Sequence, residues 1–126
     1  EYMTGGKIIV LGKVGRNFGA GMSGGIAYVL NVFGDFAYFC NTGMVELSPI
    51  LEYEDQEFIK IMLQKHINFT NSENAKNILN NWHEFRPKFI KVMPLEYKRA
   101  LQEIKLEEIE KQLQSIRDEE QLEEAY

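Results

Sequence analysis

Gly19-Ala20-Gly21-Met22-Ser23-Gly24 fits G-x-G-x-x-G, the pattern that turns a backbone tightly enough to approach a dinucleotide pyrophosphate. That chemistry needs a strand before the glycines and a helix after them, whose first N–H groups meet the phosphates. Here the preceding apolar run ends near Leu11, and Ile26-Ala27-Tyr28-Val29 behind the glycines reads as another strand. The glycines are therefore read as corners, with a small dinucleotide-binding domain kept as the least favoured alternative. Gly12-Lys13-Val14-Gly15 lacks the Gly-Lys-Ser/Thr ending of a phosphate loop. His66 and His83 are the only histidines and fall near predicted helix ends, where an imidazole can bond the terminal carbonyls. A metal centre needs further ligands at a definite spacing, and none accompanies them. Cys40, the single cysteine, excludes an internal disulfide and a cluster built from this chain's own thiolates. It is read as a reduced, half-buried strand residue. Asn68-Phe69-Thr70 has the form of a glycosylation sequon, but Thr70 is read as a helix cap. No Ser-His-Asp, Cys-His or paired-carboxylate set stands out. On this reading the chain supplies no catalytic, cofactor-binding or metal-binding residue.

The elements around these residues are strongly segregated. All ten glycines lie within the first 43 residues, and two stretches there repeat at a spacing of 19. Met3-Thr4-Gly5-Gly6-Lys7-Ile8-Ile9-Val10-Leu11 aligns with Met22-Ser23-Gly24-Gly25-Ile26-Ala27-Tyr28-Val29-Leu30. Each copy is a hydroxyl residue, a glycine pair and a β-rich run. A period near 20 suggests one stacking unit per repeat, the size of one coil of a parallel β-helix. Two coils cannot bury their own faces, so further repeats are expected before residue 1 in a longer chain. Residues 1–47 thus read as the last coils of a glycine-rich β-helix, with strands at 8–11, 26–29, 36–39 and 44–47 and turns at Gly34-Asp35 and Asn41-Thr42-Gly43.

Residues 48–94 change to a helical period. Ser48-Pro49 reads as a helix start, followed by an apolar stripe of Phe58, Ile59, Ile61, Met62 and Leu63. Thr70-Asn71-Ser72-Glu73 matches a capping box that opens a helix carrying Ala75, Ile78, Leu79 and Trp82. Residues 89–93 read as a short strand, and Pro94 as the opening of the last helix. Residues 95–126 read as an acidic amphipathic helix with Leu106, Ile109, Leu113 and Ile116 at steps of three and four. The seam is short for a free-standing zipper, so the segment is read as an exposed linker or docking helix.

Charge follows the same division. Residues 1–50 carry three basic and three acidic groups, 51–100 eight and seven, and 101–126 three and nine, for a net charge of −5. A neutral module with an acidic tail lacks the clustered basic face that nucleic acid needs. No apolar run approaches the length of a membrane helix, and no signal-peptide pattern is present.

The wording of residues 1–6, 10–29, Cys40-Asn41, 44–47, Glu54-Asp55, His66, Ala75, Ile78-Leu79, Trp82, and Phe89 through Lys98-Arg99 closely resembles the glycine-rich (GXGXG) carboxy-terminal domain of the glutamate synthase large chain. The resemblance covers residues 1–101. It implies a mainly β fold with α, a right-handed parallel β-helix truncated at its amino-terminal side and followed by closing helices. In that family the domain holds the glutamine amidotransferase and FMN domains in place. The parent is an oxidoreductase of ammonia assimilation and glutamate biosynthesis, moving the glutamine amide nitrogen reductively to 2-oxoglutarate. FMN and the iron–sulfur cluster sit in parts of the parent with no counterpart here, so the resemblance implies none bound by this chain. The implied partners are the remaining domains of the large chain and the pyridine-nucleotide-dependent small subunit or region, with no nucleic acid and no membrane. The implied setting is cytoplasmic, or plastid or mitochondrial for an organellar parent. A free-standing glycine-rich β-helix assembly subunit is the alternative.

Overall fold

A computed structural model of the chain describes residues 2–4, 6–12, 25–36, 40 and 43–125. Its elements in chain order are β1 (Tyr2–Thr4), β2 (Lys7–Val10), β3 (Ile26–Leu30), β4 (Val45–Pro49), α1 (Tyr53–Thr70), α2 (Glu73–Asn80), α3 (Trp82–Phe85), a 3₁₀ turn (Arg86–Lys88), β5 (Phe89–Pro94) and α4 (Leu95–Ala125). The strands form one five-stranded sheet in the order β1-β2-β3-β5-β4.

The 19-residue repeat is a pairing register. β2 and β3 run parallel with Lys7 beside Ile26, Ile8 beside Ala27, Ile9 beside Tyr28 and Val10 beside Val29, which is the offset of the repeat at every position. The parallel β-helix expected from it is corrected, because this is the sheet's one parallel pair among the described residues. β1 closes the outer edge of β2 as an antiparallel hairpin, and β5 takes the far edge of β3, also antiparallel. Two copies of a repeat specify one stacked pair; what occupies the free edges comes from elsewhere in the chain. Here it is a hairpin on one side and a strand that follows three helices on the other.

Every residue of β3 is buried, as expected of a central strand covered on both faces. Its alternation splits the core in two. Ile26, Tyr28 and Leu30 join Ile9 and Phe89 against Ile59, Met62 and Leu63 of α1 and Ala75 and Ile78 of α2. Ala27 and Val29 face the other way with Val92, Val45 and Phe36, and Cys40 packs at the margin.

Several boundaries differ from the sequence reading. Ser48 and Pro49 end β4 instead of starting a helix, with Pro49 paired to Ile90. β4 is an edge strand, where proline's missing N–H leaves no ladder bond broken. α1 starts at Tyr53, and its entry is fastened by the Gln56 amide donating to the Ile50 carbonyl at 2.9 Å. Phe36 lies in a helical turn, not a strand, while residues 37–39 fall outside the described residues. The cap of α2 is Ser72, whose oxygen accepts the Ala75 N–H at 3.2 Å. Thr70 instead belongs to α1 and donates to the His66 carbonyl at 2.8 Å. Asn71 ends α1 in the left-handed region at φ 54, its N–H returning to the Ile67 carbonyl at 2.7 Å.

Candidate functional site

Two features of the described residues combine unusual chemistry with a specific position. The first is the crossing of Gly6 and Gly25, the described members of the two glycine pairs. Gly25 has φ +126, and a Cβ there would stand 2.2 Å from the Gly6 carbonyl oxygen. That oxygen accepts the Ile26 N–H at 2.9 Å, the bond that starts the parallel ladder. The glycine is therefore required both by its backbone angle and by the close approach of β2's entry. Gly5 and Gly24 lie outside the described residues, as do 13–23, which hold most of the dinucleotide-like pattern.

The second is a buried polar cluster between sheet and helix. β3 presents Tyr28, β5 presents its register partner Lys91, and the first turn of α1 presents Asp55. The Tyr28 hydroxyl donates to Asp55 Oδ1 at 2.6 Å, and Lys91 Nζ lies 3.1 Å from both Asp55 oxygens. Asp55 is the one buried charged residue among those described, 7% exposed, and Tyr28 is fully buried. A carboxylate in the first turn also lies at the positive end of the helix dipole. Burial, then the hydrogen bond to Asp55 and its negative charge, raise the Tyr28 pKa well above the ordinary tyrosine value. Phe58 stacks at 5.5 Å from the Tyr28 ring, and the Lys7 ammonium sits 4.8 Å above Phe58.

This arrangement fastens an element of the fold. The Tyr28 hydroxyl is buried and bonded to Asp55, and both carboxylate oxygens lie within reach of Lys91, so the three groups satisfy one another. Its structural effect is to set the start of α1 against the middle of the sheet with a charged bond that tolerates one geometry.

The residues singled out in the sequence do not converge. His66 lies in the last turns of α1 and His83 in α3, and among the described residues no group of three or more His, Cys, Asp or Glu could hold a metal ion. Cys40 is half-buried, its Sγ 3.6 Å from the Phe36 carbonyl oxygen, and burial raises its pKa. The Tyr28–Asp55–Lys91 cluster was missed by the sequence reading, although a signal existed. Asp55 shares a helical stripe with Ile59 and Met62, and a carboxylate on a buried stripe needs buried partners.

Comparison with known proteins agrees with the wording of the glycine-rich part. The GXGXG motif family matches residues 1–95. The chain is 45% identical over 102 residues to Glutamate synthase [NADH] of Schizosaccharomyces pombe, covering 81% of this chain and 5% of that protein. It is 46% identical over 105 residues to the Glutamate synthase [NADPH] large chain of Bacillus subtilis, covering 82% of this chain and 7% of that one. It is 44% identical over 94 residues to Ferredoxin-dependent glutamate synthase 2 of Synechocystis sp., covering 75% and 6%. The chain thus spans only 5–7% of the length of these relatives. The match from residue 1 to residue 95, which contains the glycine crossing that sets the parallel pair, makes the chain a member of the GXGXG motif family, with glutamate synthases among its relatives.

Proposed function

We propose that this chain is a non-catalytic structural segment of a glutamate synthase that holds the amidotransferase and FMN domains of the parent in their relative places. The parent reaction on this reading is reductive transfer of the glutamine amide nitrogen to 2-oxoglutarate, giving two glutamates. One observation carries the proposal. Relatives whose names specify NADH, NADPH and ferredoxin share the segment at 44–46% identity, so it persists while the electron donor changes. The donor-independent part of such an enzyme is its amide transfer and the frame around it. The side chains described here favour the frame, since the one buried charged cluster is closed upon itself.

The test replaces the matching segment of the Bacillus subtilis large chain with residues 1–95 of this protein. The hybrid is expected to keep glutamine-dependent glutamate synthesis and to hydrolyse little glutamine when 2-oxoglutarate is absent. The isolated chain is expected to bind neither FMN nor NADPH in calorimetry. A folded hybrid that loses glutamine-dependent glutamate synthesis with 2-oxoglutarate present would overturn the proposal, as would stoichiometric flavin on the isolated chain.

A further inference from the structure

Among the described residues, α4 is joined to the body at its beginning. The Leu95 N–H donates to the Met44 carbonyl at 2.9 Å, Tyr97 packs on the helix-side core, and Lys98 pairs with Glu46. From Arg99 to Glu124 every residue is exposed. At 1.5 Å per residue the helix is about 46 Å long, so most of it stands clear of the sheet. Leu106, Ile109, Leu113 and Ile116 are 59%, 42%, 47% and 51% exposed and form one stripe along it. An exposed helix with an apolar stripe draws little stability from itself and gains it from whatever covers the stripe.

We propose that α4 is a self-recognition helix, pairing antiparallel with α4 of a second copy of this chain along Leu106, Ile109, Leu113 and Ile116. Charge identifies both the occupant and its direction. Over 95–111 the helix carries four basic and five acidic residues, and over 112–125 one and five, so an antiparallel pair sets each strongly acidic end against a nearly neutral beginning and keeps the two acidic ends apart. Setting Leu106 opposite Ile116 of the second copy, and Ile109 opposite Leu113, fixes the register. That register brings Lys105 beside Glu119, Glu103 beside Arg117 and Arg99 beside Glu123, each pair formed twice by symmetry. On the same line Glu110 meets its own copy and Glu96 meets Glu124 at each end, so three like-charge contacts stand against six attractive ones.

A parallel pair is poorer on the same residues. It keeps Lys98 near Glu103 and Lys105 near Glu110, but it stacks Arg99, Glu120 and Glu123, which lie on the stripe's steps, each on its own copy, and turns Glu119 toward Glu124. It also places two globular bodies at one end, whereas the antiparallel pair carries them at opposite ends. This inference does not rest on the proposed function: Leu106, Ile109, Leu113 and Ile116 all follow residue 95, the last residue of the GXGXG family match.

Sedimentation equilibrium of the full chain across a concentration series tests it, with near-ultraviolet circular dichroism reporting that the body stays folded. The expected result is a monomer–dimer equilibrium that Leu113→Asp abolishes. Lys105→Glu and Glu119→Lys should each weaken it about tenfold, since each turns two attractions into repulsions. The double variant should restore it. Glu119→Lys decides the direction, because in a parallel pair it would meet Glu124 and tighten the dimer. A chain that stays monomeric throughout, a dimer indifferent to Leu113→Asp, tightening by Glu119→Lys, or a larger assembly would each overturn the proposal.

Discussion

A Cβ on Gly25 would lie 2.2 Å from the Gly6 oxygen, whereas Gly34, with φ +74, and Gly12 have nothing within 4 Å of theirs. The three positions separate two costs that usually travel together. Gly12→Ala should be near neutral, and Gly34→Ala should cost about 1 kcal/mol from the left-handed backbone alone. Gly25→Ala should cost about 3 kcal/mol or more, because β2's entry must also move and the Ile26–Gly6 bond with it. Urea unfolding of the three variants checks the order; equal costs at Gly25 and Gly34 would show that backbone angle, not close approach, governs Gly25. Tyr28 makes a second residue-scale prediction. Its folded pKa is raised above the unfolded value of about 10. The folded state therefore keeps its proton after the unfolded chain has lost it, so this contribution is complete below about pH 10 and declines as pH rises beyond it. Tyr28→Phe should lower stability at neutral pH by about 1 kcal/mol and flatten the alkaline decline in a pH series of unfolding curves. A decline as steep as in the unsubstituted chain would assign it to other groups.

At the scale of elements, α4 and the closing helices behave differently although all carry apolar stripes. Ile59, Met62 and Leu63 of α1 and Ile78 of α2 are buried against the sheet, while the stripe of α4 touches none of it. Removing residues after Leu101 should leave the midpoint of thermal unfolding nearly unchanged for the remaining chain and reduce its helical circular dichroism. A large fall in the midpoint would show that the body depends on α4. Both stripes were legible from spacing, but their fates were not. A period of three and four says that a helix has an apolar face, and only the strands and helices nearby say whether that face has a partner within the chain. The start of α1 illustrates the same point. Ser48-Pro49 has the local chemistry of a helix start, yet β5 offers an open edge, and the ladder bonds it supplies outweigh a capping preference of about 1 kcal/mol.

Across the whole molecule, protection should be graded from the middle of the sheet outward. β3 and β5 carry cores on both faces, so their amides should exchange slowest, β1 at the edge faster, and α4 beyond Leu101 fastest. Hydrogen exchange followed by mass spectrometry reads this directly, and an α4 as protected as β3 in the monomer would contradict it. The amino-acid sequence by itself determined the family, the glycine crossing, the parallel register of β2 on β3 and the helical periods, because each is written in residues close together or at one fixed offset. The tertiary structure alone decided that the repeat ends in a mixed sheet instead of a coil, and that Tyr28, Asp55 and Lys91 meet. Both depend on which strand fills a free edge, and β5 arrives there after a separation of about 60 residues that no local pattern spans.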